Sequence, residues 1–187
     1  MDIYLVRHTL TDTEPGLCYG QTDVALSANF AEEVLQVLKK LPPPMPDTVV
    51  FSSPLSRCRQ LAEKFSSHVI TDDRLLEINF GDWENTFFNE IDPIVLKQWS
   101  DHFVTQSPPN GENFTDLFRR AGSFWHELLT YRKEQIVIVT HAGVIRALLV
   151  SILEMPLANA FHFRVEPGSV HKFQAIDNYV YIDYVNR

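Results

Sequence analysis

Asp2-Ile3-Tyr4-Leu5-Val6-Arg7-His8-Thr9 and Gln135-Ile136-Val137-Ile138-Val139-Thr140-His141-Ala142-Gly143 decide how this chain folds. Each is an apolar, largely β-branched run that stops at polar or small residues, the pattern of a strand buried on both faces of a parallel sheet. In an open α/β sheet, ligands bind beyond the carboxyl ends of the strands. Arg7, His8 and His141 therefore fall where a ligand would sit, facing one crevice if the two strands are neighbours. A guanidinium is permanently charged and forks onto phosphate or carboxylate. A neutral imidazole can serve as nucleophile or base near pH 7. Taken singly, each strand end reads more readily as a run that merely stops at surface residues; the matched histidines beside an arginine favour a site.

Outward from these two strands, the 187 residues fit one domain with a substantial core. A composition of 45% hydrophobic and 21% charged residues is ordinary for a globular protein. The net charge of −8 argues against general nucleic-acid binding and against a polybasic membrane patch. It does not argue against a small anionic ligand, because a local pocket can be positive on an acidic protein. No basic segment followed by an apolar one opens the sequence, and no apolar run reaches membrane-spanning length. The expected setting is cytoplasmic, with Cys18 and Cys58 as reduced thiols. The oligomeric state, a homodimer included, stays open.

Between the two deciding strands, Thr11 to Ala28 lacks helical period and carries Pro15, Gly16 and Gly20, so it reads as a loop. Asn29 with Glu32 suggests a capping box for a helix whose apolar face is Phe30, Val34, Val37, Leu38 and Leu41, stopped by Pro42 to Pro46. Thr48 to Ser52 is a short strand. Ser53-Pro54 reads as a cap followed by proline at the first helical position, with Leu55, Cys58, Leu61, Ala62 and Phe65 facing inward. Arg57 falls in that helix's first turn, where side chains tilt back toward the N-terminus and the strand end; Arg59 has the ordinary fate of a solvated helix arginine. Asp72 to Glu84 has no clean period and is expected to be an ordered loop held by its aromatic residues.

Thr86 to Phe103 shows helical spacing interrupted or restarted at Asp92-Pro93, and Asn113 caps a helix to about Tyr131. Val144 to Leu153 is apolar nearly all round and should be a buried helix. Phe161 to Val165, Val170 to Ala175 and Tyr179 to Val185 alternate as edge strands or a hairpin, with turns at Pro167-Gly168 and Asp177-Asn178.

Arg7, His8, Arg57 and His141 thus converge at strand ends. Glu77 joins them on even terms with a surface or ion-paired role: held between Leu76 and Ile78, a carboxyl group keeps its proton more readily, and a protonated carboxyl can act as general acid. No H-E-x-x-H or paired C-x-x-C spacing favours a metal. Neither a G-x-x-x-x-G-K-S/T loop nor G-x-G-x-x-G is present, so no nucleotide cofactor is expected. Two arginines and two histidines suit a phosphoryl group, whose oxygens need neutralising while one atom attacks phosphorus.

Leu5-Val6-Arg7-His8-Thr9, Ser52-Ser53-Pro54-Leu55-Ser56-Arg57, Glu77 followed by Phe80-Gly81-Asp82-Trp83-Glu84, and Thr140-His141-Ala142-Gly143 together resemble the histidine phosphatase (phosphoglycerate mutase-like) superfamily. Each block is weak alone; the ordered set is highly specific. Gly20-Gln21-Thr22-Asp23, Asn110-Gly111-Glu112 and His162-Phe163-Arg164-Val165-Glu166 are most similar to the α-ribazole phosphatases of cobalamin synthesis. The resemblance implies one domain over 1–187, an α/β/α sandwich with a mostly parallel central sheet, residues 78–112 as a cap, and no metal or cofactor. It implies a phosphomonoesterase that hydrolyses α-ribazole 5′-phosphate or another small phosphoester, with mutase activity or non-catalytic binding as alternatives. It implies His8 as phosphorylated nucleophile, Glu77 as proton donor, and Arg7, Arg57 and His141 around the phosphate. Gly20, Gln21, Thr22, Trp83 and Ala142 complete the implied substrate contacts, with Phe80, Trp83, Phe87 or Phe88 available to stack on an aromatic base. Thr9 stands where many members have Gly, and Leu10 where many have an acidic residue; both bear on pocket shape and so on substrate choice.

Overall fold

The computed structural model describes residues 1–177 and 179–187; Asn178, in the expected Asp177-Asn178 turn, lies outside them. One six-stranded sheet runs in the order β3-β2-β4-β1-β5-β6. Its strands are β1 (Asp2–Arg7), β2 (Val49–Ser52), β3 (Val69–Thr71), β4 (Gln135–Thr140), β5 (Val170–Ile176) and β6 (Tyr179–Tyr184). The first four are parallel, and β5 and β6 join antiparallel on the β1 side. The helices are α1 (Phe30–Leu38), α2 (Ser56–Ala62), α3 (Pro93–His102), α4 (Phe114–Leu128) and α5 (Ala142–Ile152).

Strand alternation builds the three layers. Ile3, Leu5, Ile136, Ile138 and Phe173 point to one face and pack with Leu117, Ala121, Phe124 and Leu128 of α4 and with the apolar residues of α5. Tyr4, Val6, Val137, Val139 and Val170 point to the other and pack with Val34 and Val37 of α1 and Cys58, Leu61 and Ala62 of α2. Each fully buried Leu, Ile or Val stabilises the fold by roughly 1.5–3 kcal/mol, which explains why both faces of β1 and β4 had to be covered. A third, smaller cluster joins Cys18, Trp83 and Ile91 to Phe80, Phe88, Leu96 and Trp99. Both cysteines are buried free thiols, and no described helix is long and apolar enough to cross a membrane.

Several local expectations are corrected. Asn29 precedes α1 but makes no side-chain cap. Ser27 Oγ accepts from the Asn29 N–H at 3.2 Å and donates to Glu33, whose carboxylate also holds the Leu10 N–H at 2.9 Å. α2 begins at Ser56, two residues after Pro54, because Ser53 is drawn to His141 and Asp23 supplies the cap from another loop. The chain from 86 to 92 is irregular, and α3 starts at Pro93 with Asp92 accepting from the Ile94 and Val95 N–H groups. Phe161 to Val165 is not a strand: Leu157–His162 is a 3-10 turn. The Phe163 and Val165 carbonyls beyond it accept from Arg146 and Arg7 instead of from a strand neighbour.

Candidate active site

The β1/β4 register pairs Arg7 with Thr140. His8 and His141, the next residues, therefore leave adjacent strands side by side, with ring centroids 5.2 Å apart and planes inclined by 62°. Both are buried, at 3% and 0% exposure. His8 Nδ1 lies 2.7 Å from the Thr9 carbonyl, which can only accept, so Nδ1 carries the proton and Nε2 the free lone pair. Burial, then the charges of Arg57 and Arg7, push the His8 pKa down to about 3. The ring is thus neutral at pH 7. His141 Nε2 sits 2.8 Å from Ser53 Oγ and 3.4 Å from the Cys58 thiol. Burial, His8 and the same arginines hold the His141 pKa well below the usual imidazole range.

Arg57 is fully buried, the outcome of its place in the first turn of α2. Its Nη1 and Nη2 donate to the Thr22 and Gly20 carbonyls at 2.8 and 2.6 Å. Arg59, two residues on, has a side chain 54% exposed beside Glu63. The Ser56 N–H at the head of α2 is taken by Asp23, so that backbone donor does not open onto the site. Arg7 Nη1 donates to the Val165 carbonyl at 2.7 Å. Among the described residues, four buried side-chain polar atoms have no hydrogen-bond partner, and three belong to this region: Arg7 Nε, Thr9 Oγ1 and Arg57 Nε. A buried donor left unpaired costs roughly 1–3 kcal/mol, and two guanidinium N–H groups so left are suited to an anion.

Glu77 is half-buried beside them. Its Oε2 accepts from the Gly143 N–H at 3.1 Å and its Oε1 from its neighbour Ile78 at 2.9 Å. A Cβ on Gly143 would overlap the Glu77 carboxylate, so any side chain there displaces it. Ala142, expected at the substrate, is the first residue of α5 directly after His141.

Gly20, Gln21 and Thr22 were also expected to contact substrate. Their backbone N–H groups all donate instead to the Glu84 carboxylate, at 2.9–3.1 Å. Gln21 Nε2 donates to the Glu77 carbonyl at 3.1 Å. This loop meets the site through the carbonyls that hold Arg57. Burial pushes the Glu84 carboxyl up, but hydrogen bonds from Gly20, Thr22, Gln21 and Phe80 outweigh it and leave it below the ordinary carboxylate range. Trp83 is only 7% exposed and edge-on to Trp99 at 5.5 Å, and Phe80 packs edge-on to Phe88 and Trp99. These rings are committed to the small cluster.

Three supporting residues had no clear signal in the sequence. Arg120 of α4 donates to the carbonyls of Arg74, Leu76 and Glu77 and pairs with Glu112 at 2.8 Å, clamping the segment that carries Glu77. Arg146 of α5 donates from Nε to the Phe163 carbonyl at 3.1 Å. Asn186, nearly the last residue, accepts from the Glu166 N–H at 2.7 Å and donates its own N–H to His171 Nδ1 at 3.2 Å. Their contacts reach across 8 to 46 residues of sequence and go mostly to backbone atoms, which no local pattern encodes. Among the described residues, no three His, Cys, Asp or Glu side chains are grouped as a metal ion would require.

The family model for the histidine phosphatase superfamily (branch 1) matches residues 3–187. The adenosylcobalamin/alpha-ribazole phosphatase of Salmonella typhimurium is 30% identical over 179 residues, covering 90% of this chain and 87% of that protein. The glucosyl-3-phosphoglycerate phosphatase of Mycolicibacterium vanbaalenii is 29% identical over 173 residues, covering 84% and 76%. The crystal structure of the alpha-ribazole phosphatase from Shigella flexneri superposes with a TM-score of 0.91 at 27% identity, covering 100% of this chain and 96% of that one.

Proposed function

Because this chain belongs to the histidine phosphatase superfamily, we propose that it hydrolyses phosphate monoesters through a phosphohistidine on His8, with α-ribazole 5′-phosphate as substrate. The observation that carries this reading is the pair of buried, unpartnered Nε–H groups of Arg7 and Arg57 around a neutral His8. The guanidinium groups and His141 bind the phosphoryl oxygens and neutralise charge as it builds, the principal catalytic need in phosphoryl transfer. His8 Nε2 attacks phosphorus, the bond to the ester oxygen breaks, and Glu77 protonates that oxygen as it leaves. Water then attacks the phosphohistidine, giving its proton to Glu77 and releasing inorganic phosphate. Residues 78–112 act as a cap beside the crevice.

The substrate choice is supported by the relatives named adenosylcobalamin/alpha-ribazole phosphatase. A different small phosphoester is the second reading, favoured by the similar identity to a glucosyl-3-phosphoglycerate phosphatase. Both are tested by measuring phosphate release from a panel of phosphomonoesters, with and without EDTA. The expected result is the highest kcat/KM on α-ribazole 5′-phosphate and activity unaffected by the chelator. His8→Ala is expected to abolish turnover while staying folded. Rapid quench of the native protein should trap a phosphoenzyme stable in alkali and lost in acid. Hydrolysis by His8→Ala at the native rate would overturn the mechanism; a better substrate in the panel would overturn only the substrate.

A further inference from the structure

Beyond the phosphate pocket lies an aromatic cavity of about 330 Å³, lined by Trp99, Ser100, Phe103 and Phe161. Its volume falls at the small end of ordinary small-molecule sites, roughly 300–1,000 Å³. Trp99 comes from α3 and Phe103 from the residue that ends it, while Phe161 comes from the 3-10 turn before β5. The Phe103 and Phe161 rings meet edge-to-face at 4.9 Å, yet Phe161 remains 56% exposed. A large aromatic ring half open to solvent beside other aromatic walls gains by covering a planar partner.

Two connections run from this cavity to the phosphate pocket. Arg146 lies over the Phe161 ring, its guanidinium carbon 4.9 Å from the centroid. Burial lowers the Arg146 pKa, Glu77 opposes that shift and Arg7 adds to it, so Arg146 shares the field of both site residues. The backbone supplies the second connection. Phe161 lines the cavity, the Phe163 carbonyl accepts from Arg146, and the Val165 carbonyl accepts from Arg7. Four residue steps span at most ~14 Å, a distance bridged by a phosphorylated pentose carrying a planar base.

We infer that this cavity is the subsite for a planar ring carried by the substrate, with Phe161 as the specificity-determining wall and Arg146 marking the path from the phosphate. The inference rests on Arg7 and Arg57 forming the phosphate pocket, and it moves ring recognition from Trp83 and Phe80, which are packed around Trp99, to Phe161, which meets Phe103 and Phe114 yet keeps more than half of its surface open. Phosphoesters with a flat base are thereby preferred over pentose phosphates that lack one.

The experiment measures kcat/KM for α-ribazole 5′-phosphate, adenosine 5′-monophosphate and ribose 5-phosphate with the native protein, Phe161→Ala and Ile94→Ala. Ile94 is an exposed α3 residue outside the cavity lining, 68% accessible, and serves as the control. Phe161→Ala is expected to lower the preference for base-bearing over base-free substrate about fivefold or more, and Ile94→Ala to leave that ratio unmoved. Equal changes on all three substrates, no change in Phe161→Ala, or no ring preference in the native protein would overturn the subsite. A lost preference seen only with adenosine 5′-monophosphate, α-ribazole 5′-phosphate being inert, would keep the subsite and remove the proposed substrate. Efficient α-ribazole 5′-phosphate hydrolysis that is indifferent to Phe161 would do the reverse.

Discussion

At the scale of single residues, the site depends on which nitrogen holds a proton and which N–H lacks a partner. The Thr9 carbonyl fixes the His8 tautomer and leaves Nε2 with its lone pair; burial beside two arginines keeps that lone pair free of a second proton. Arg57 and Arg59 provide an internal control, being two residues apart on one helix and opposite in burial. Arg57→Ala is expected to lower kcat roughly 10²–10³-fold, the usual loss of one preorganised charge-stabilising donor, and Arg59→Ala to change it less than twofold. Steady-state kinetics on the two purified variants decides this, and similar behaviour would show that Arg57 is not at the phosphate. Gly143→Ala probes Glu77 without touching its chemistry. The added methyl group meets the carboxylate end of a flexible side chain, so Glu77 is displaced while the backbone stays in place. Phosphorylation of His8 by ribose 5-phosphate should then slow by roughly 10²-fold, within the range of general acid catalysis. With p-nitrophenyl phosphate, whose leaving group departs unprotonated, single-turnover slowing should be much smaller; equal slowing would remove Glu77 as proton donor.

Elements enter through their ends and through the loops that tie them. The C-terminal ends of β1, β2 and β4 supply His8, Ser53 and His141, and α2 returns Arg57 over the same edge. Loops fix the rest by side-chain to backbone bonds: Glu84 gathers the Gly20–Thr22 loop, and Arg120 gathers the segment ending at Glu77. The chain end does the same for Arg7. Asn186, at φ 57°, holds Glu166, whose neighbour Val165 accepts from Arg7. Its own N–H meets His171, which also lies 3.1 Å from Ser169 Oγ, and the Ser169 carbonyl accepts from the Arg7 N–H. Asn186→Gly keeps the left-handed backbone and deletes only the side chain. It is expected to weaken inhibition by inorganic phosphate about three- to tenfold, the worth of one hydrogen bond. In an Arg7→Ala background it should have no further effect. Additive losses in the double variant would show that Asn186 acts on the fold at large and not through Arg7.

For the whole molecule, the sheet order places two histidine-bearing strands side by side at its centre and buries the site deeply. That burial has a consequence for acid stability. His8 and His171 are pushed down to about 3 and about 4, and His141 well below its ordinary value, mainly by loss of solvent. Unfolded, all three regain pKa values near 6.5. Between about pH 6.5 and pH 4 the unfolded chain therefore binds more protons than the folded one. Stability that is fully present above pH 6.5 is lost progressively as the pH falls. Unfolding near pH 5 is expected to take up about two protons at His8 and His171, with His141 adding to the uptake in the same direction. Tm measured from pH 7.5 to 4.5 should fall with a slope matching that uptake, and His171→Phe should flatten it by about one proton. A Tm independent of pH across this window would contradict the buried neutral histidines.

How much of this was legible in the chain follows from the range of the forces involved. Period and composition are local, so the sequence alone determined β1 and β4, the apolar faces of α2, α4 and α5, and the placing of Arg7, His8 and His141 at strand ends; on α1 it found Val34 and Val37, whereas Leu38, expected on the same face, is exposed. Arg57 was separable from Arg59 because a helix's first turn fixes where its side chains lean. The tertiary structure decided whatever depends on a partner distant in sequence. Phe161 to Val165 has strand-like alternation, but its carbonyls are taken by two arginines, so no ladder forms. Ser53 looks like a helix cap and is claimed by His141, 88 residues away. Trp83 and Phe80 look available for stacking and are consumed by Trp99, while Phe161, in the same alternating stretch that suggested a strand, is left open. A side chain's hydrogen bonds and ring contacts go to whatever the folded chain brings within about 4 Å, and that proximity is a property of the packed layers, not of any window of residues.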